Sequence, residues 1–178
     1  MVENSSLKRF SHSEAQSVLR NYQEYSFEKL NLLFMQGEVP TFDQVAGETA
    51  GAIILCPQCN SVSKIMAAAF FDNPLSRWVG KIFVSPYDED KSGRAINRYG
   101  NKLAPRRYPM LSRLVPATCD RKPCVRLNYV FPWSTFGAYD EFRKVEDGVF
   151  VGKTYQKLPF TKTATLTAHF VLCALGKS

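Results

Sequence analysis

The stretch Tyr139–Tyr155, YDEFRKVEDGVFVGKTY, decides the fold class. Its centre, Asp147-Gly148, suits the positive φ that a tight hairpin turn demands. On the first arm Phe142 and Lys144 share one side, and Glu141, Arg143 and Val145 share the other. On the second arm Val149, Val151 and Lys153 alternate with Phe150, Gly152 and Thr154. Period-two alternation on both arms is the signature of paired strands. Gly152 has no side chain to pack, which marks a bend, a bulge or a close approach of another backbone.

Strands extend outward from this hairpin. After it, Leu166–Ala174 sets Leu166, Ala168, Phe170, Leu172 and Ala174 on one face and Thr167, His169, Val171 and Cys173 on the other. Before it, Cys124–Phe131 sets Val125, Leu127, Tyr129 and Phe131 together, with Arg126 and Asn128 opposite. Trp78–Val84 and the apolar run Thr49–Leu55 read as further strands. Lys64–Phe71 reads equally as helix or strand. Between Tyr87 and Ala117, acids, glycines, prolines and arginines predict largely irregular chain, with some strand over 95–99 and a short helix over 110–114. Consecutive strands with short connections argue an antiparallel sheet, curled or closed.

Ser11–Gly37 reads as helix. Ser11 and Glu14 form a capping box, and Ala15, Val18, Leu19 and Tyr22 repeat at helical spacing. Ser26 is a point where a second helix can start. Thr41 and Gln44 repeat the capping pattern around a short turn. The expected organisation is one domain over 1–178: a helical segment at 11–37, then a β body over 49–174 interrupted by an irregular basic stretch at 87–123.

The 178 residues are 45% hydrophobic and 22% charged, an ordinary globular balance. No run approaches the roughly 18 apolar residues of a membrane helix. The N-terminus lacks a secretory apolar region, and five cysteines suit a reducing compartment, so the expected location is cytoplasmic. The net charge of +7 is concentrated. Lys91–Val125 holds nine basic residues and one acid, Asp120. Segment 91–122 therefore suits an acidic partner or a solvated loop. Most aromatics lie elsewhere, which argues against the interleaved pattern of a nucleic-acid surface.

Residues in several of these strands resemble a family. Trp78-Val79-Gly80-Lys81-Ile82-Phe83 is similar to the W-x-G-K-x-F element of the bacterial GXWXG/DUF4334 proteins. Cys124-Val125-Arg126-Leu127, Asp140-Glu141-Phe142-Arg143, Phe150-Val151-Gly152 and Phe170-Val171-Leu172 resemble its later strands. Gly37–Gly51 occupies the place of the name motif, within which Gly47-Glu48-Thr49-Ala50-Gly51 lacks its tryptophan. The resemblance implies a mainly β (α+β) chain, an antiparallel lipocalin-like barrel or half-barrel with an N-terminal helical segment. It implies no particular reaction.

Within such a barrel, aromatic rings with a few polar tips suit a small apolar or amphipathic ligand. The candidate contacts are Trp78, Arg126, Tyr129, Trp133, Arg143 and Tyr155, with an arginine meeting any acidic group. An isomerase- or cyclase-like enzyme would use His169 or Glu141 as acid/base in the same pocket. Asp140 and Glu141 point to opposite faces and form no carboxylate pair. No cofactor is expected. The alternative is a structural zinc on Cys56, Cys59, Cys119 and Cys124, for which Cys56-x-x-Cys59 has suitable spacing. Against it stands the reading of small residues at strand ends.

Overall fold

The computed structural model describes residues 7–58, 65, 77–100, 106–130, 137–157 and 163–176. Three helices come first: α1 (His12–Gln23), α2 (Phe27–Gln36) and α3 (Phe42–Val45). Eight strands follow: β1 (Gly47–Leu55), β2 (Trp78–Ser85), β3 (Gly93–Tyr99), β4 (Arg106–Pro116), β5 (Pro123–Tyr129), β6 (Ala138–Glu146), β7 (Val149–Gln156) and β8 (Thr165–Ala174). They pair antiparallel in chain order and close into a barrel.

The helix boundaries follow from local chemistry. The Glu14 backbone N–H donates to Ser11 Oγ at 3.3 Å, and the Ser11 N–H donates to the Glu14 carboxylate at 2.8 Å. Ser26 does split the segment: its Oγ accepts from the Lys29 N–H at 3.1 Å and caps α2. Gly37 ends α2 in extended backbone, with φ −68°. Its missing side chain is explained by proximity, because a Cβ there would lie 2.9 Å from both Arg143 Cβ and the Lys144 carbonyl oxygen. The buried stripes of the two helices are Ala15, Leu19 and Tyr22, then Leu30 and Phe34. They cover the outer-wall residues Val149, Val151, Val171 and Cys173.

The hairpin forms as the sequence predicts. Gly148 has φ +74° in the turn between β6 and β7. The lumen side carries Phe142 and Phe150, joined by Phe83, Leu127, Phe170 and Leu172. Each such side chain contributes about 1.5–3 kcal/mol on burial. Gly152 reflects a close approach, but of a ring rather than a backbone. A Cβ at 152 would fall 2.0 Å from Phe170 Cζ, so the sheet needs glycine where that ring lies on it.

The stretch 87–123 departs from expectation. It is not mainly irregular, since it holds β3 and β4. The helix expected over 110–114 is strand. Met110 and Ser112 are buried while Leu111 is exposed, and the segment pairs with β3 on one side and β5 on the other. Two ladders of backbone hydrogen bonds override the weak local helix preference. The irregular look comes from Tyr108, at φ +57°, and from Pro109, which sits beside a register shift opposite Ile96 and Asn97. The ambiguous run 64–71 lies outside the described residues except for Ile65.

Closure is uneven. β1 pairs with β8 from Thr49↔Ala174 to Leu55↔Ala168, but with β2 only at Gly47↔Phe83 and Glu48↔Ile82. Beyond Glu48 the backbone ladder stops: the Thr49 hydroxyl continues the contact, accepting from the Lys81 N–H at 3.0 Å and donating to its carbonyl at 2.9 Å, and past Gly51 the two strands leave a seam. The end of the lumen near Gly47 is filled by Val45, Phe83 and Tyr87. The Tyr87 hydroxyl donates to the Pro40 carbonyl at 3.0 Å, and its ring meets Phe42 edge-on. Among the described residues, no helix is long and apolar enough to cross a membrane.

Candidate functional site

Alternation on four strands brings polar side chains together in a largely apolar lumen. Lys81 on β2 faces Asn97 on β3, its register partner. From the other side come Tyr129 on β5 and Asp140 on β6. Lys81 Nζ donates to Asp140 Oδ2 at 2.7 Å, to Asn97 Oδ1 at 2.8 Å and weakly to Met110 Sδ at 3.6 Å. Trp78 Nε1 donates to the same Asn97 oxygen at 3.1 Å. The Tyr129 hydroxyl donates to Asp140 Oδ2 at 2.9 Å and accepts from Asn97 Nδ2 at 3.3 Å. Both members of the ion pair are 1% exposed.

The surroundings are aromatic. Lys81 Nζ lies 5.3–5.6 Å from the ring centroids of Trp78, Tyr129 and Phe170. Burial pushes the Lys81 pKa down, against the pull of Asp140. The Tyr129 phenol is pushed well above its usual value, by burial first and by Asp140 next. Asp140 Oδ1 is buried and has no hydrogen-bond partner. A buried carboxylate oxygen without a donor is costly, and it marks a place where a donor belongs.

The sequence candidates divide between two places. Trp78 and Tyr129 are in this cluster. Arg126, Glu141, Arg143, Tyr155 and His169 are on the outer wall. Arg126 forks onto Glu141, with Nη2 to Oε1 at 2.6 Å, and Glu141 also accepts from the Thr118 N–H and hydroxyl. Arg143 grips both oxygens of Asp120 at 2.7 and 2.8 Å. It also donates to the carbonyls of Phe34, Lys122 and Pro123. These hydrogen bonds hold the Asp120 carboxyl below its usual pKa. Tyr155 stacks on Tyr139 at 5.2 Å. Neither arginine reaches the lumen, so an acidic ligand group there would not meet them. Trp133 lies outside the described residues.

His169 sits beneath α2, against the Phe27 ring at 4.3 Å, with its Nδ1 on the Gly152 carbonyl at 3.1 Å. It is fully buried, and Nε2 has no partner. Burial lowers its pKa from 6.5 to about 4, and the charge of Lys153 adds to this. An unfolded chain therefore takes up the proton first as pH falls. The stability from keeping His169 neutral is complete above pH 6.5 and is lost toward pH 4. In urea melts, the wild type should lose about 3 kcal/mol more than His169→Gln between pH 7 and 4. Parallel pH profiles for the two chains would contradict this placement.

Among the described residues, Cys56 does not converge with Cys119 and Cys124. Cys56 leaves β1 at the end of the barrel where β8 begins. Cys124 opens β5 at the opposite end, close to the turn that carries exposed Cys119. Burial raises the Cys124 thiol to about 12. Cys59 lies outside the described residues, among which no cluster of histidine, cysteine and carboxylate could hold a metal.

The basic segment is spread over the wall. Arg98 and Arg106 pair with Glu48, while Arg94, Arg113, Arg121 and Lys122 are exposed.

A cleft of about 280 Å³ follows the β1–β2 seam, between Leu19 of α1, Ile53 and Leu55 of β1, and Arg77 and Trp78. The Trp78 ring forms its inner wall. A Cβ on Gly51 would meet that ring at 2.5 Å. Trp78 thus stands between the cleft and the lumen cluster.

Lys81, Asn97 and Asp140 are the site residues that sequence reasoning missed. A lysine in a strand reads as solvent-facing. Asp140 sits in a run, Asp140 to Arg143, in which every residue is buried, so alternation gives no inner face. Lys81 and Asp140 stand in the W-x-G-K-x-F and D-x-F-R elements, which was the available signal; Asn97 stands in neither.

No family model matches the chain, and no curated protein matches it. Among solved structures, the chain is similar to a crystal structure of a protein from Thermomonospora curvata. The two are 17% identical with a TM-score of 0.50, over 89% of this chain and 95% of that one. At that identity the likeness shows the fold alone. The chain is an eight-stranded antiparallel barrel with a short N-terminal helical segment, consistent with a lipocalin-like barrel.

Proposed function

We propose that this protein binds a small amphipathic molecule, with the polar end at the Lys81–Asp140 cluster and the apolar body against the surrounding rings. The observation that carries the reading is Asp140 Oδ1, buried in the lumen with no donor. A barrel assembled only for stability has little use for a charged pair in its core, since apolar residues of similar volume serve equally well. The cluster also has the make-up of a binding site: a few convergent polar groups inside an aromatic shell. The seam cleft, which ends on Trp78, supports lateral access. The likeness to GXWXG/DUF4334 proteins in the elements carrying Lys81 and Asp140 fits a shared pocket.

An isomerase-like activity resting on His169 or Glu141 has less support, because both lie outside the lumen. The test is native mass spectrometry of the purified chain, followed by denaturing extraction. The expected result is a mass excess released on denaturation as a small apolar compound. It should be lost in the double variant Lys81→Met/Asp140→Leu, whose fold is checked by circular dichroism. Retention of the same compound by that variant would overturn the assignment to this cluster.

A further inference from the structure

We infer that the polar end of the bound molecule is a neutral hydrogen-bond donor, a hydroxyl in the simplest case, rather than a carboxylate or an ammonium. This rests on the binding reading above and follows from which capacities the cluster has already used. An ammonium group has three hydrogens to give. Those of Lys81 go to Asp140 Oδ2, Asn97 Oδ1 and Met110 Sδ. The Trp78 indole and the Tyr129 hydroxyl each donate within the cluster as well. The capacities left open are an acceptor, Asp140 Oδ1, and one hydrogen of Asn97 Nδ2, whose other hydrogen goes to the Tyr129 hydroxyl; a hydroxyl can meet both.

Charge separates the three head groups. Lys81 and Asp140 already neutralise one another at 2.7 Å in a site that is 1% exposed. A carboxylate would bring a second negative charge to the bare oxygen of Asp140, with the Lys81 hydrogens already engaged. An ammonium would satisfy that oxygen but leave a net positive charge in an apolar lumen, where unpaired charge is heavily penalised. A hydroxyl supplies the missing hydrogen and adds no charge. Hydrogen bonds to a charged acceptor are the stronger kind.

The experiment compares 1-decanol, decanoic acid and decylamine at pH 7.5 on the wild-type chain, by calorimetric titration with native mass spectrometry as a second readout. Decanol should bind at least about tenfold more tightly than either charged analogue, the margin one such hydrogen bond provides. Equal or tighter binding of decanoic acid or decylamine would overturn this inference while leaving the binding reading intact. If none of the three binds, both fall. Asp140→Asn supplies a second check on the same panel. Its side chain carries no charge, so the margin of decanol over decanoic acid should shrink severalfold. An unchanged margin in a folded Asp140→Asn chain would place the discriminating group elsewhere.

Discussion

Replacing Lys81 with methionine is expected to destabilise the barrel by about 3–5 kcal/mol, and replacing Asp140 with leucine by a similar amount. Each single change leaves the opposite charge in a site that is 1% exposed. Lys81→Met strands Asp140 with only the Tyr129 hydroxyl as a donor. Asp140→Leu leaves the ammonium facing Asn97 Oδ1 and a thioether. The double change removes both charges together and should recover most of the loss, because well-packed apolar residues replace a buried pair at little net cost. Urea unfolding of the four chains closes the cycle, and a coupling of several kcal/mol is the expected outcome. Additive single effects would mean that water reaches the pair and that the lumen is wetter than its burial indicates.

The second large effect is expected at Arg143, on the other side of the same strand. Its guanidinium is 1% exposed and joins α2 to the β4–β5 turn through Asp120 and three backbone carbonyls. Arg143→Met should cost about 3–5 kcal/mol, since Asp120 is left without its buried partner and those carbonyls without their donor. In a chain of this length, that corresponds to a fall in Tm on the order of 10 °C. Arg143→Lys should recover little, because an ammonium cannot fork across two carboxylate oxygens and three carbonyls together. A melting curve within 2 °C of wild type for Arg143→Met would show that the clamp is dispensable.

These two residues show what the sequence made legible and what it hid. The β6–β7 hairpin was plain, because Asp147-Gly148 fixes the turn and each arm alternates. The helix caps at Ser11 and Ser26 were equally local. The wall is covered from both sides around β6, where rings line the lumen and α2 and the β4–β5 turn press from outside. Asp140, Glu141, Phe142 and Arg143 are consequently all buried, and no pattern of polarity tells inside from outside. Arg143 could be read as a ligand contact only because its partner Asp120 is brought in by the fold. β4 was hidden for another reason. Pro109, a positive φ at Tyr108 and two flanking arginines imitate a loop, and only pairing with β3 and β5 makes a strand of it. Alternation sets His169 opposite Phe170, but which of those faces turns inward depends on the closure of the whole sheet.

The lopsided joining of β1 makes assembly a matter of sequence distance. The strand emerges early, yet most of its partners lie in β8, more than a hundred residues further on. Phe10 is tied to the same place, donating to the Ala174 carbonyl and accepting from the Gly176 N–H. Contacts of such long range carry the largest loop-closure cost and come late in folding. On a ribosome, the chain can form its β6–β7 hairpin before β8 exists, while β1 waits with one edge almost unoccupied. A chain cut before β8 would leave that edge of β1 without its backbone partners. The barrel therefore closes only when β8 is available, because the first strand takes most of its backbone partners from it.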